Sequence, residues 1–470
     1  GGSVTLQSNG GTLGMAGVGM TLGTLCGGSA CGMTLDSAEL ALITADSLTI
    51  GGSSNGNMFV DKITTSTELA NIAGATSLIA GGSSSNLTFD GTASTFGELT
   101  ASAGGDITPS VALTVSGTSS FTVTNTNVIT LTQSNTFTGA VTITTNDSSG
   151  ADSDATISAG SSAGLIFAAS TIDGDLTVTS SNATGISQTG ALTVEGTSSF
   201  TTSADNADIT LSTATNDFTG AVSFTTAGTS GNVTVVETDS FIFGASTVNG
   251  NLSLTTGRTA NGPVTANGII VVTGTTEITT DGADAAITLC CVRDHDFRGV
   301  VTGYGHHVKF KNGDDITLGN ITATNGQVII QAKGEVTQTA TSSIKSANDT
   351  TITAQNGGTN YDITLTNTSN DFYDDSNVGD ELKITGKDVR LASGDQINMG
   401  LSTITGNLTL TSSDTITDNG IATVTGYLSA TTDANNGVID LGSLAVDGKI
   451  ALATHGTGNA TIVNDDDIDF

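Results

Sequence analysis

"ITLTQSNTFTGAV", Ile129 to Val141, carries the pattern that decides the fold. It returns as "ITLSTATNDFTGAV" from Ile209, as "ITLCCVRDHDFRGVV" from Ile287 and as "ITLTNTSNDF" from Ile363. The leading isoleucines lie 80, 78 and 76 residues apart, and Phe137, Phe218, Phe297 and Phe372 lie 81, 79 and 75 apart. Other phrases keep step. "ALTVSGTSSFT" at Ala112 returns as "ALTVEGTSSFT" at Ala191, and "STIDGDLTVTS" at Ser170 returns as "STVNGNLSLTT" at Ser246 and "STITGNLTLTS" at Ser402. A period of 75 to 81 residues therefore runs through the chain.

Within each period lie short apolar-Thr-apolar segments such as "LTV", "ITL" and "VTI". Alternation of this kind gives a strand one apolar face and one hydroxyl face. Gly, Asn and Asp separate the segments, and these residues accept the positive φ that sharp corners demand. A unit near 80 residues divides into about four coils of roughly 20 residues, a solenoid period. An immunoglobulin-like array would need a dense core with Trp and larger side chains in every domain. Here Trp is absent and only 4% of residues are aromatic. The expected fold is all-β, a parallel β-solenoid (β-helix) of about 23 coils with an interior of Val, Ile, Leu, Ala and Thr. It is read as one continuous solenoid over 1–470, with sub-repeats at about 1–106, 107–185, 186–262, 263–338, 339–418 and a partial 419–470. Only two prolines, Pro109 and Pro263, interrupt the strands, as ladder hydrogen bonding requires.

Composition narrows function as well. Only 12% of the 470 residues are charged, with 45 acidic against 12 basic groups and a net charge of −33. Nucleic acid is excluded as a partner, since neutralising phosphates takes Lys and Arg. No apolar run reaches the 18 or so residues of a helical membrane span. Acidic runs at Asp465, Asp466 and Asp467, and at Asp374, Asp375 and Asp380, are the places where calcium could bind through carboxylates and coil carbonyls. None of them fits an EF-hand loop. No nucleophile elbow, phosphate loop or zincin motif occurs, and the acids are too isolated for a polysaccharide-cleaving site, so no enzyme is expected.

The third copy, Ile287 to Val301, departs most from the frame. Cys290 and Cys291 fill the slots of Thr132 and Ser212, and His295 that of Asn216 and Asn370. A zinc set of Cys290, Cys291, His295, His306 and His307 lacks the usual ligand spacings. Neighbouring strand residues point to opposite faces, and a bond between them strains the peptide. One buried and one outward thiol is therefore expected there. Cys26 and Cys31 in "CGGSAC" are the local disulfide candidates. Arg293, Arg298, Lys309 and Lys311, a third of the 12 basic residues, join Cys290 and Cys291 as candidates for contact with a partner.

"LDSAELALITADSLTIGGSSNGNMFVDKI" (Leu35 to Ile63), "NLTFDGTASTFGELTASAGGDIT" (Asn86 to Thr108) and the "NDFTGAV" and "GDLTVTS" elements resemble the β-helical repeats of filamentous-haemagglutinin-like giant surface proteins of bacteria. The resemblance covers most of the chain. It implies a right-handed β-helix, export to the cell surface, and a role in adhesion or fibre building. The secretion-recognition domain and carboxy-terminal anchor of such proteins are not recognisable, so the chain is read as an interior segment or a subunit cut from a precursor. The expected function is an extracellular structural protein that forms a rod or fibre at the bacterial cell surface and self-associates head to tail or laterally. The alternative is an adhesin passenger that binds glycans or other surface ligands.

Overall fold

The computed structural model describes residues 2–8, 11–16, 32–146, 153–257, 261–282, 284–373 and 379–469, with the side chains of 434 and 435 left out. Among these residues the regular secondary structure is β except for one four-residue helix, Ser37–Leu40, closed at its start by a capping box between Asp36 and Glu39. The fold is a parallel β-solenoid of about 19 turns of about 22 residues among the described residues. Turns are thus slightly longer and fewer than expected, because the corners take more residues than the strands alone suggest. The chain forms two compact units, Gly1–Glu237 and Thr238–Phe470.

In the first unit, strand Glu98–Ala103 pairs in parallel with Ser119–Thr124, and that strand with Val141–Asn146. The register joins Leu99, Ser119 and Val141 on one inward row and Ala101, Phe121 and Ile143 on the next. Thr100, Ser120 and Thr142 line the outward face between them. A second ladder stacks Ala155–Ala159, Leu176–Ser180, Ser198–Asp205 and Val222–Ala227 in the same way. A one-residue slip would turn every apolar residue outward, so the alternation holds the register.

The second unit repeats the scheme. Val308, Val328, Thr350 and Leu382 form one inward row, and Phe310, Ile330, Ile352 and Ile384 the row beside it. The turn from Thr350 to Leu382 is longer than its neighbours and holds an antiparallel hairpin at Gln355–Asn360, built on Gly357 and Gly358 at positive φ.

Three features of the interior differ from expectation or refine it. The core is not confined to small residues: Phe121, Phe137, Phe200, Phe218, Phe224, Phe297 and Phe310 are fully buried. Phe200 stacks on Phe224 and meets Phe218 edge-on, each with ring centroids 6.0 Å apart. Few aromatics suffice because each falls beside Ala, Val or another ring in the adjacent coil, as Phe121 falls between Ala101 and Ile143. Second, many Thr residues are inward. Thr202, Thr226, Thr280 and Thr432 donate their hydroxyls to the carbonyls of Ala207, Gly231, Ala285 and Gly437 at 2.9–3.1 Å. Each closes the corner that follows its own strand.

Third, one corner uses glycine for proximity. Gly174, Gly196 and Gly220 stack coil on coil at ordinary φ, and a Cβ on Gly220 would lie 2.2 Å from the carbonyl oxygen of Gly196. The glycines of this corner, which follow Asp173, Glu195 and Thr219, are thus selected by backbone approach, not by positive φ. Gly220→Ala should lower the stability of the first unit by about 1–3 kcal/mol, the usual cost of overpacking. The shift in denaturant midpoint measures this, and an unchanged midpoint would count against the tight corner.

Candidate functional site

The departures of the third copy lie in a corner of the second unit. Strand Ile287–Leu289 pairs with Val308–Asn312, and Asp296–Phe297 pairs with Ile270–Val272. Leu289 and Phe297 are both buried and fix the two ends of the corner. Between them Cys290, Cys291, Val292, Arg293 and Asp294 make a loop one residue longer than Ser212–Thr215 or Thr366–Ser369 in the sister copies.

Cys290 and Cys291 are joined to each other by a disulfide. The expectation of two separate thiols is therefore corrected. Cys291 adopts φ +74°, and the Val292 N–H donates to the Cys290 carbonyl at 2.9 Å, so the pair sits in a tight turn instead of an extended strand. The opposite-face argument applies only to extended backbone. Cys290 remains 8% exposed while Cys291 is open to solvent and Val292 is 86% exposed. A bond between neighbours closes almost no loop, so it constrains the unfolded chain very little. Serine at both positions should leave the unfolding midpoint within about 0.5 kcal/mol of the parent, measured by denaturant titration.

Below the loop lies a polar groove of about 550 Å³ lined by Asp294, His295, Asp296, Arg298, Asn312 and Asp315. Asp294 bridges two coils, with its oxygens 3.1 Å from Lys311 Nζ and 2.6 Å from Lys333 Nζ. The hydrogen bond from Lys333, helped by Lys311, holds the Asp294 carboxyl below the usual range. Arg298 pairs with Asp296 at 2.7 Å. Two of the four basic residues proposed for partner contact are thus engaged within the chain. Arg293 and Lys309 form no ion pair among the described residues.

His295 is 2% exposed, and its Nδ1 accepts the Ile270 N–H at 3.2 Å. That role belongs to asparagine in the sister copies. Asn135, Asn216 and Asn370 accept the N–H of Leu113, Leu192 and Ile344 from the preceding coil at 2.8–2.9 Å. Their Nδ2 groups donate within their own coil, to Leu131, Leu211 and Leu365, and onward to Ser158, Val236 and Ala392 in the next. Each buried Asn therefore staples three coils. Gln188 and Gln338 support two of them through side-chain hydrogen bonds to Asn216 and Asn370. These Asn and Gln residues were not singled out from sequence, although the recurring Asn before Asp-Phe was the visible sign. Nδ1 of His295 can accept this bond only in a neutral ring, with the proton on Nε2. Burial first, then the charge of Arg293, pushes its pKa down to about 4.

The remaining candidates do not converge on this groove. His307 Nδ1 accepts the Gln327 N–H at 2.9 Å, and His306 Nε2 lies 3.7 Å from Asp284. No group of three or more metal-ligating side chains exists among the described residues, and disulfide-bonded cysteines offer no thiolate. Asp380 is buried and its carbonyl accepts from Asn398, while Asp465, Asp466 and Asp467 are exposed after the last strand. Cys26, Cys31, Asp374 and Asp375 lie outside the described residues.

A family described as repeats of unknown function (DUF5649) matches residues 83–144, 152–225, 230–303, 305–378 and 386–453. The chain belongs to this repeat family. Each of the first four DUF5649 repeats holds one stapling residue, in order Asn135, Asn216, His295 and Asn370. The vicinal disulfide is a feature of the third. No curated protein and no solved structure matches the chain.

Proposed function

We propose that this DUF5649 repeat chain is an extracellular structural protein of a bacterial surface, akin to the filamentous-haemagglutinin-like proteins, and that its solenoids build a rod or fibre. The reading rests on one observation: each unit is made of parallel coils in register, so a coil whose edge is unpaired offers the ladder on which another can be laid. The recurring chemistry of the repeats (Asn staples, Phe stacks, Thr corner bonds) is directed inward and serves stacking. No catalytic role is proposed for any residue, and calcium is not required by any contact described. Among the described residues no helix is long and apolar enough to cross a membrane.

Self-association follows by addition of coils between chains, head to tail or side by side. Sedimentation at rising concentration, with electron microscopy of the same samples, should show concentration-dependent filaments. A chain that stays monomeric at millimolar concentration would remove the fibre reading. Adhesion is the second reading, favoured by the exposed loop around Val292 with its uncommitted Arg293 and Lys309. A glycan-array screen distinguishes the two: an adhesin retains a defined glycan, and a pure fibre retains none.

A further inference from the structure

We infer that Cys290–Cys291 is a thiol-exchange site, at which an incoming thiolate is captured on Cys291 as a mixed disulfide. The bond lies outside the framework that holds the fold, since Leu289 and Phe297 are anchored by ladder pairing on either side of it. Its two sulfurs differ in access: Cys290 is 8% exposed, whereas Cys291 faces solvent on the longest of the four equivalent loops. Which sulfur is attacked depends on access, so attack falls on Cys291 and Cys290 is the leaving group. Arg293 stands two residues away without an ion pair, and Lys309 lies beside Thr288 in the adjacent coil. On a chain of net charge −33, this cationic spot lessens the repulsion that an approaching thiolate meets.

The step balances without an added oxidant. The Cys290–Cys291 bond breaks, a bond forms between Cys291 and the incoming sulfur, and the proton of the incoming thiol ends on Cys290. The site therefore takes thiols as a class, whether a small metabolite thiol or a cysteine on another protein. Because the sulfur reached is on the loop surface and the core is untouched, the coil geometry survives the exchange.

The test uses the full chain, purified in air, with two probes: N-acetylcysteine, and a folded protein that bears one surface cysteine. After acid quenching and non-reducing digestion, mass spectrometry should find one whole probe added per chain, on Cys291, with Cys290 free. The rate should exceed that of the same thiol with oxidised glutathione by about tenfold. The Cys290→Ser, Cys291→Ser double variant should gain no adduct at this peptide. An adduct from the small thiol alone supports exchange with metabolite thiols, and an adduct from both probes supports a protein partner as well. Two free thiols at 290 and 291 in the starting protein, an adduct on Cys290, or no adduct with either probe would overturn the assignment.

Discussion

Replacing Asn370 by alanine should destabilise the unit Thr238–Phe470 by at least about 3 kcal/mol. Three buried backbone groups depend on this side chain: the N–H of Ile344 at 2.9 Å, and the carbonyls of Leu365 at 3.3 Å and Ala392 at 3.1 Å. Each buried group left without a partner costs about 1–3 kcal/mol, and alanine offers no replacement for any of them. Gln338 also loses both of its bonds to the Asn370 amide. The loss is concentrated in three consecutive coils, so hydrogen exchange should accelerate at Ile344, Leu365 and Ala392 before distant coils respond. Equilibrium denaturation combined with amide exchange checks both parts. A loss below about 1 kcal/mol would mean that water, and not Asn370, satisfies these groups. Asn370→His should recover part of the loss near neutral pH, because the third repeat uses histidine in the equivalent slot.

Much of this architecture was legible in the sequence. Strict alternation in phrases such as "LTVTS" puts Leu176, Val178 and Ser180 inward, and its recurrence at 75 to 81 residues, with no Trp to fill separate domain cores, favours stacked coils. The staples were harder to see. Asn is also a favoured turn residue, and apart from the Asp-Phe that follows it, Asn216, buried and fully bonded, reads like Asn206 at positive φ in a turn. The difference lies in the neighbouring coils, some 20 residues away in each direction, whose backbone groups need a partner. The Phe-filled core was missed for the same reason. Composition counts aromatics but does not reveal that Phe200, Phe218 and Phe224 fall on adjoining rows. For the vicinal disulfide, strand geometry was applied to residues that the longer loop of the third copy had already released from the strand.

Outward and inward substitutions therefore carry different meanings in this family. In the loop, the third repeat carries Cys, Val and Arg where its sisters have Thr, Ser and Asn, and there Cys291, Val292 and Arg293 are exposed to solvent while Cys290 is buried. Inward, a replacement must reproduce the hydrogen bond that its neighbours expect. His295 does so only in part: it accepts from Ile270 but cannot donate in both directions as Asn216 does. Asn312, buried beside it, adds a local clamp by accepting the Phe297 N–H at 2.8 Å and donating to the Phe297 carbonyl at 3.2 Å. The third repeat thus exchanges one three-coil staple for two partial ones, and makes one of them dependent on protonation.

The second unit should lose about 3 kcal/mol of stability as pH falls from 7 to 4 through His295 alone, and His295→Asn should abolish that component. The folded pKa is about 4 against an ordinary value of 6.5, because burial and Arg293 disfavour the charged ring more than Asp294 favours it. Above pH 6.5 both folded and unfolded chains carry a neutral ring, so the contribution is fully present. Between 6.5 and 4 the unfolded chain takes up the proton and the folded chain does not, so stability declines with pH in that window. The difference of about 2.5 pH units corresponds to about 3 kcal/mol. Below 4 the ring protonates in the folded state too, and Nδ1 can no longer accept the Ile270 N–H. Carboxylates that do not face His295 add their own acid sensitivity equally in parent and variant, and Asp294, held below the usual range by Lys333 and Lys311, stays ionised through most of this window. The parent-minus-variant difference in unfolding free energy, followed from pH 7 to 4, therefore isolates the imidazole. A difference that stays flat across this range would mean that His295 is already solvated and holds no coil in place.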